Sequence, residues 1–362
     1  MTSPTVHGLA TDLVAPDWPA PNARELASAL DRFGLRLLGA PTWVSPRPLS
    51  SGVKVTTDDG PAFVKRQSIA VRTADQLTQE HEFAYWLGSQ GVPVPEIISA
   101  LDGGTAVSID GWSYEVHRPA AGIDVYRDAM SWTPFNSIRH ATAAGRSLAT
   151  LHLAAADYPA PARDTEHLTS RPESLRASQL AGVIERYLQA EPDLRQVVST
   201  ADAKFLETRL QSIGDRLTVL PTQWCHLDWH ASNLFWHGDE IACVIDFGLA
   251  DRSYAVIDLA LALERNVIRW LELPETQIGL PIHATELIAG YESVRPLSPT
   301  EHELLPELLP VCHLDFALSE VHYFGSLLND PTRAGIAWRD YAIAHTAWFD
   351  TPAGVELLEA LR

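Results

Sequence analysis

The segment Cys225-His226-Leu227-Asp228-Trp229-His230-Ala231-Ser232-Asn233, followed by Val244-Ile245-Asp246-Phe247-Gly248, constrains the fold of this chain more than any other stretch. It holds an H-x-D-x-x-x-x-N run and, one short apolar strand later, an Asp-Phe-Gly. The apolar run Ile241–Ile245 reads as a buried strand that presents Asp246 at its end. Asp228, Asn233 and Asp246 thus stand in an order that a loop and a strand can bring together.

The rest of the chain sorts into two textures. Residues 1–47 mix prolines with one helical pattern, Ala23 to Phe33, and read as a lead-in cap. From Pro48 strands are expected. Val53–Thr56 and Ala62–Lys65 flank Asp58-Asp59-Gly60, a hairpin signal. A helix is expected over Thr73–Gly91, then an extended Val92-Pro93-Val94-Pro95, then strands around Ala106–Ile109 and Trp112–His117. Beyond Pro119 the pattern turns helical, over Arg139–Ala154 and near 172–190, 193–216, 255–272, 282–292, 301–326 and 334–348. Residues 159–172 read as a loop or insertion. The expected class is α+β, with a small strand-rich lobe over 1–119 and a larger helical lobe over 120–362.

Composition narrows the functional classes. At 362 residues and 46% hydrophobic, the chain can bury one large core or two lobes. No apolar run approaches the roughly eighteen residues of a membrane span, and Met1–Val14 lacks the features of a secretory signal. Cys225, Cys243 and Cys312 lack metal-site spacing and suit a reducing cytoplasm. A net charge of −19 argues against a nucleic-acid partner, which demands a basic face. The surplus is uneven: 13 acidic against 9 basic residues up to Pro119, and 33 against 18 after it. That field would attract a cationic substrate, although plain solubility explains it as well.

The residue types point to phosphoryl transfer. This reaction needs a carboxylate beside the acceptor hydroxyl and oxygen ligands for magnesium. Asp228 is the candidate base, or the group that orients the hydroxyl. His226 is expected to hold the loop, by hydrogen bonding or against Phe247. Asn233 and Asp246 offer the few oxygens that magnesium takes from a protein. A buried Asp246 would be costly without a cation. Lys65, at the end of Phe63-Val64-Lys65, can reach nucleotide phosphates if a helix carboxylate holds it; Glu80 is the expected partner and Glu82 the rival. Pro48-Leu49-Ser50-Ser51-Gly52 stands where a phosphate-covering loop belongs. It carries one glycine, and Ser50, Ser51 and Gly52 are its candidate donors.

With these residues in place, the chain resembles the aminoglycoside phosphotransferase/choline kinase-like family of small-molecule kinases. The resemblance rests on Phe63-Val64-Lys65, Glu80, Gly91–Pro95, Tyr114–Gly122, Ala144–His152, the catalytic loop, Ile245–Gly248 and Ile257–Ala260, in the family's order across residues 48–265. Leu227 stands where protein kinases carry Arg, as in the small-molecule branch. The resemblance implies a bilobal protein-kinase-like fold, with Mg²⁺ and ATP (or GTP) in the cleft and adenine against Val116, His117 and Arg118. It implies a structural role for Asp258, bracing the catalytic loop. The glycine-rich loop is curtailed, and His230-Ala231-Ser232 replaces the family's usual His-Pro-Gly.

The resemblance implies a small hydroxyl compound as the acceptor. An aminoglycoside or amino sugar is the leading expectation. A neutral sugar, homoserine or another amino alcohol is the alternative, and a catalytically silent nucleotide-binding protein is the reading from another class. Trp229 and His230 are candidate acceptor contacts because they adjoin Asp228. Glu320 is another, on the face His313, Phe316, Ala317, Glu320, Phe324 of an expected helix. Trp338 and Trp348 are either stacking platforms or core. The sequence leaves the oligomeric state open.

Overall fold

The computed structural model describes residues 6–7, 9, 13–47, 50–130, 132–163, 183–190, 198–273, 275 and 277–362. Pro48-Leu49, residues 164–182 and residues 193–197 of the segments discussed above lie outside this set.

A two-stranded ladder, Val6–His7 (β1) with Leu13–Val14 (β2), precedes helix α1, Ala23–Arg32. Asn22 caps α1 through a capping box with Glu25. An antiparallel sheet follows, built from Trp43–Val44 (β3), Ser51–Thr57 (β4), Gly60–Ser68 (β5), Ala106–Ile109 (β6) and Trp112–His117 (β7) in the order β3-β4-β5-β7-β6. The Asp58-Asp59-Gly60 turn joins β4 to β5, with Gly60 at φ +97°. Helix α2, Ala74–Ser89, lies between β5 and β6.

Period two decides what this sheet shows to each side. Val53, Val55, Val64, Tyr114 and Val116 face one way and pack with Leu26, Ala29, Leu30 and Phe33 of the α1 region. Gly52, Lys54, Phe63, Lys65, Glu115 and His117 face the other way and line a cleft. The lead-in is therefore more than a cap: the sheet begins at Trp43, five residues before Pro48, and α1 supplies Leu26, Ala29 and Leu30 to the small lobe's core.

The larger lobe is mostly helical. It contains α3 (Ile138–Ala155), α4 (Val183–Ala190), α5 (Thr200–Ile213), α6 (Ala255–Val267), α7 (Pro281–Glu292), α8 (Pro299–Leu308) and α9 (Leu314–His322), then a continuous helical run over 331–348 containing a π-helical stretch, Ala337–His345. Three short ladder elements sit among them: Gln223–Cys225 (β8) pairs with Asp251–Ser253 (β11), and Leu234–His237 (β9) with Glu240–Val244 (β10). The expected single helix over 301–326 is two helices broken at 309–313. Pro306 lacks an N–H for the helical ladder, and α8 ends two residues after it. Trp338 and Trp348 are buried, at 0% and 3% exposure, and are core residues rather than stacking platforms.

The two lobes have separate hydrophobic cores, and α2 packs its Phe83, Ala84 and Leu87 into the larger one. The chain crosses between lobes at Gly122, whose φ is +89°. A Cβ there would stand 2.6 Å from Ala242 and 2.8 Å from the Trp236 carbonyl, so only glycine fits the crossing. The arrangement is an α+β, bilobal, kinase-like fold.

Candidate active site

The catalytic-loop motif is held from behind. Asp258, buried in the first turn of α6, accepts the backbone N–H groups of His226 (2.7 Å) and Leu227 (2.9 Å). His152 of α3 bonds the same carboxylate (3.0 Å) and is itself tied to the Tyr291 hydroxyl of α7 (2.7 Å). Leu227 takes a left-handed φ of +60°, a conformation that leucine adopts only when surroundings impose it. The next residue, Asp228, is thereby turned out of the loop. His226 donates from Nε2 to the Ile245 carbonyl (3.1 Å), accepts the Asp228 N–H at Nδ1 (3.2 Å), and packs edge-on against Phe247. Both roles considered for His226 are thus present.

Asn233 donates its amide N–H to the Asp228 carbonyl and to Oδ2, each at 3.0 Å. Its backbone carbonyl accepts from Ile245 (3.0 Å), which sets the catalytic loop directly beside the strand leading to Asp246. Asp228 Oδ1 lies 3.3 Å from the Arg265 guanidinium, and His230 lies 3.4 Å from Oδ2. Burial raises the Asp228 pKa, but His230 and Arg265 outweigh it and hold the carboxyl well below its usual range. Burial also lowers the His230 pKa, against the pull of Asp228.

Asp246, again at positive φ (+61°), accepts from Lys65 Nζ at 2.9 Å. Lys65 is held above its ordinary pKa: burial lowers it, and the fields of Asp246, Glu115 and Glu80 overcome that. Asn233, Asp246 and Lys65 line one cleft of about 520 Å³ between the lobes, with Ser50, Gly52, Phe63, His117 and Pro119.

Several expected placements are corrected. The Asp246 side chain is 40% exposed, so it carries no burial penalty that a cation must offset. Glu80 does not close on Lys65. It is clamped by Arg163 (2.6 Å) and Arg72 (3.3 Å), which also reach the Gly248 carbonyl (3.1 and 3.0 Å), and Glu82 is exposed. Glu80 therefore ties α2 to the Asp-Phe-Gly turn and acts on Lys65 only through its field. Ser51 and Val116 face the core side of the sheet, one residue out of phase with Gly52 and His117. The Val116 carbonyl is taken by Ile98 and the Arg118 N–H by Glu96, each at 2.8 Å, while the Arg118 guanidinium grips Asp59. Pro119 and Ala120 are the next residues along the chain that line the cleft. Trp229 is wholly buried in the large core.

Four arginines of the site have no signature in the sequence. Arg72 and Arg163 form the Glu80 clamp. Arg47 lines the cleft. Arg265 lies between Trp132 and Phe316, its guanidinium carbon 4.2 and 5.2 Å from their ring centres, and meets Asp228. Glu320, 6% exposed, is near Arg265 and Asp228, and its Oε2 has no hydrogen-bond partner. Burial pushes its pKa up to about 8; Asp228 adds to that and Arg265 opposes it.

Two hard oxygens at one cleft edge, the Asp246 carboxylate and the Asn233 amide carbonyl, are a donor set that suits magnesium, which keeps most of its waters and takes substrate phosphates. Among the described residues no helix is long and apolar enough to cross a membrane.

Comparison with known proteins agrees with this geometry. The sequence model of the phosphotransferase enzyme family matches residues 48–297. A homoserine kinase of Rhodospirillum rubrum is 26% identical over 318 residues, 87% of this chain and 89% of that protein. A homoserine kinase of Brucella canis is 29% identical over 255 residues, 68% and 70% of the two chains. Among solved structures, an amicoumacin kinase bound to AMP-PNP, Ca²⁺ and its ligand superposes with a TM-score of 0.59 at 15% identity, covering 87% of this chain and 88% of that one. A microcompartment-associated aminopropanol kinase gives 0.56 at 18%, covering 94% and 99%. At such identities these two likenesses show the shared fold. The family match spans both lobes and both motifs, and the chain belongs to the phosphotransferase enzyme family as a small-molecule kinase.

Proposed function

We propose that the protein moves the γ-phosphoryl group of ATP to the hydroxyl of a small amino alcohol, a hydroxy-amino acid of the homoserine type. The observation that carries the acceptor assignment is the buried pair beside Asp228: Arg265, at 4% exposure, and Glu320, at 6% with an unpartnered oxygen. A cation and a carboxyl sequestered around one candidate base suit a compact zwitterion, whose carboxylate would face Arg265 and whose ammonium would face Glu320. Homoserine kinases among the relatives support the same class.

In this reading Lys65 binds phosphate oxygens, Pro119 and Ala120 offer backbone groups to the base, and Phe63 and Phe247 exclude water from the cleft. Asn233 and Asp246 would hold magnesium, whose charge offsets that of the phosphates. Asp228 orients the acceptor hydroxyl and takes its proton. His226 and Asp258 keep the loop in shape. His230 bonds Asp228 and orients it rather than the substrate.

A phosphorylation screen tests the acceptor. Homoserine and short amino alcohols should have kcat/KM values at least tenfold above those of aminoglycosides and neutral sugars; an aminoglycoside as best substrate would reject the assignment. The amino-sugar reading is the second one, favoured by the acidic surplus after Pro119. GTP in place of ATP, in the same assay, settles the nucleotide.

A further inference from the structure

We propose that Arg47, in the connector between β3 and β4, closes on the phosphoryl group in flight and neutralises its charge in the transition state. The proposal rests on the phosphotransferase reading of this cleft and not on the acceptor's identity.

The covering loop is short of phosphate donors. A glycine-rich loop wraps phosphates with backbone N–H groups. Here the connector between β3 and β4 has no glycine, and the next one, Gly52 in β4, serves another purpose: a Cβ there would stand 2.5 Å from the Phe63 ring, so the missing side chain makes room for the aromatic roof of the cleft. Pro46 and Pro48 contribute no N–H at all. The loop's donor deficit is thus built into its sequence, and Arg47, flanked by the two prolines, is the cation it offers instead. Its backbone N–H is pinned to Ser45 Oγ at 3.2 Å.

Position is the second element. Arg47 lines the same cleft as Lys65, Asn233 and Asp246. Its half-buried guanidinium lies in the fields of Asp124, Asp228 and Asp246, with Arg265 as the like charge. Those carboxylates come from the interlobe crossing, the catalytic loop and the Asp-Phe-Gly turn. Lining the cleft together with Lys65, Asn233 and Asp246 puts Arg47 on the phosphate side of the site, on the wall that the transferred group must pass. The acceptor oxygen forms its bond to the γ-phosphorus as the bond from that phosphorus to the β,γ-bridging oxygen breaks. ADP departs with the electron pair, and the hydroxyl proton passes to Asp228 and then to water. Charge spreads over the three equatorial oxygens meanwhile, and a planar guanidinium can pair two of them at once.

The test uses a transition-state mimic, so no acceptor is needed. Titration calorimetry compares Mg·ADP alone with Mg·ADP plus aluminium fluoride, for the wild type, Arg47→Ala and Arg47→Lys, each checked for folding by its melting temperature. The wild type should gain at least about 100-fold in affinity from the fluoride, and Arg47→Ala should lose about that factor, the scale of one transition-state donor. Its affinity for Mg·ADP alone should stay within about threefold. Arg47→Lys should keep part of the gain, as a point charge without the fork. A full gain retained in Arg47→Ala overturns the proposal. So does an equal loss with and without fluoride, which marks a ground-state or structural role. A wild type with no gain overturns the assignment of this cleft as the phosphoryl-transfer site, and Arg47's role with it.

Discussion

Asp228 is the residue on which the site converges. Asn233 and His230 occupy Oδ2, and Arg265 stands 3.3 Å from Oδ1. Asp228→Asn keeps the shape and removes the basicity. We expect kcat to fall at least about 100-fold, the scale of general-base catalysis, with the Kd for Mg·ATP nearly unchanged because Asp228 does not line the nucleotide cleft. Stopped-flow and calorimetry separate the two, and retained turnover would remove Asp228 from its role. Glu320 gives a pH prediction of definite sign. Its folded pKa, about 8, lies above the ordinary 4.5 of a glutamate, so the native state holds the extra proton. Its contribution to stability is full below pH 4.5 and is lost as pH rises through 8. Each unit of displacement is worth about 1.4 kcal/mol, so the loss over that window is a few kcal/mol. Glu320→Gln should flatten this fall in pH-dependent urea unfolding. In the wild type, the acceptor KM should drop between pH 6.5 and 8.5, because ionised Glu320 is what an ammonium group needs. A KM profile unchanged by Glu320→Gln would sink its part in recognition. The motif residues were legible from the spacing of Asp228, Asn233 and Asp246. Arg72, Arg163 and Arg265 were not, since a lone arginine shows nothing of a partner that only folding supplies. Ser51 and Val116 were misplaced although Val53 in β4 and Tyr114 in β7 already gave the phase of their strands.

At the scale of elements, the loop's rigidity traces to how two helices meet. The contact of α3 with α7 needs two glycines: a Cβ on Gly145 would stand 1.9 Å from the Leu287 carbonyl oxygen, and one on Gly290 2.0 Å from that of Thr142. The backbones touch, and nothing flexible can give way. These same helices carry His152 and Tyr291, which brace Asp258 and through it the N–H groups of His226 and Leu227. Gly145→Ala should cost about 3 kcal/mol, the upper range of overpacking, read as a lowered midpoint in urea. It should also lower kcat more than it changes nucleotide affinity, because the strain reaches the catalytic loop first. A midpoint within about 0.5 kcal/mol of wild type would mean the helices can part freely. Gly145 was visible in the sequence only as part of a family-like run. Its reason is a close approach between segments far apart in the chain, Gly145 against Leu287, and no local pattern encodes that. The hairpin of β4 and β5 and the exact ends of β6 and β7 were legible because turn chemistry and alternation are local.

Across the whole molecule, the N-terminal segment and the charge field act on both lobes together. Trp18 donates to the Tyr323 hydroxyl (2.6 Å) and meets Trp112 edge-on, Asp17 pairs with Arg333 (2.7 Å), and the Pro19 carbonyl accepts from Arg66. Residues that read as a lead-in thus strap the large lobe to the sheet, a long-range fact that proline-rich composition hides. The bilobal division itself was legible, because the change from period two to period 3.6 near Pro119 runs over many residues. Net charge was legible too, and it separates the two acceptor readings. At −19, the molecule repels anions and attracts polycations over a Debye length of about 8 Å at physiological ionic strength. An aminoglycoside carries several positive charges, so its kcat/KM would fall steeply between 50 and 300 mM salt. A hydroxy-amino acid carries none net, and its kcat/KM should stay flat within about twofold, while that of anionic Mg·ATP rises as its repulsion is screened. A steep fall for the best acceptor would transfer the substrate argument from the buried Arg265 and Glu320 to the acidic surface, because only a cation drawn from a distance feels that surface.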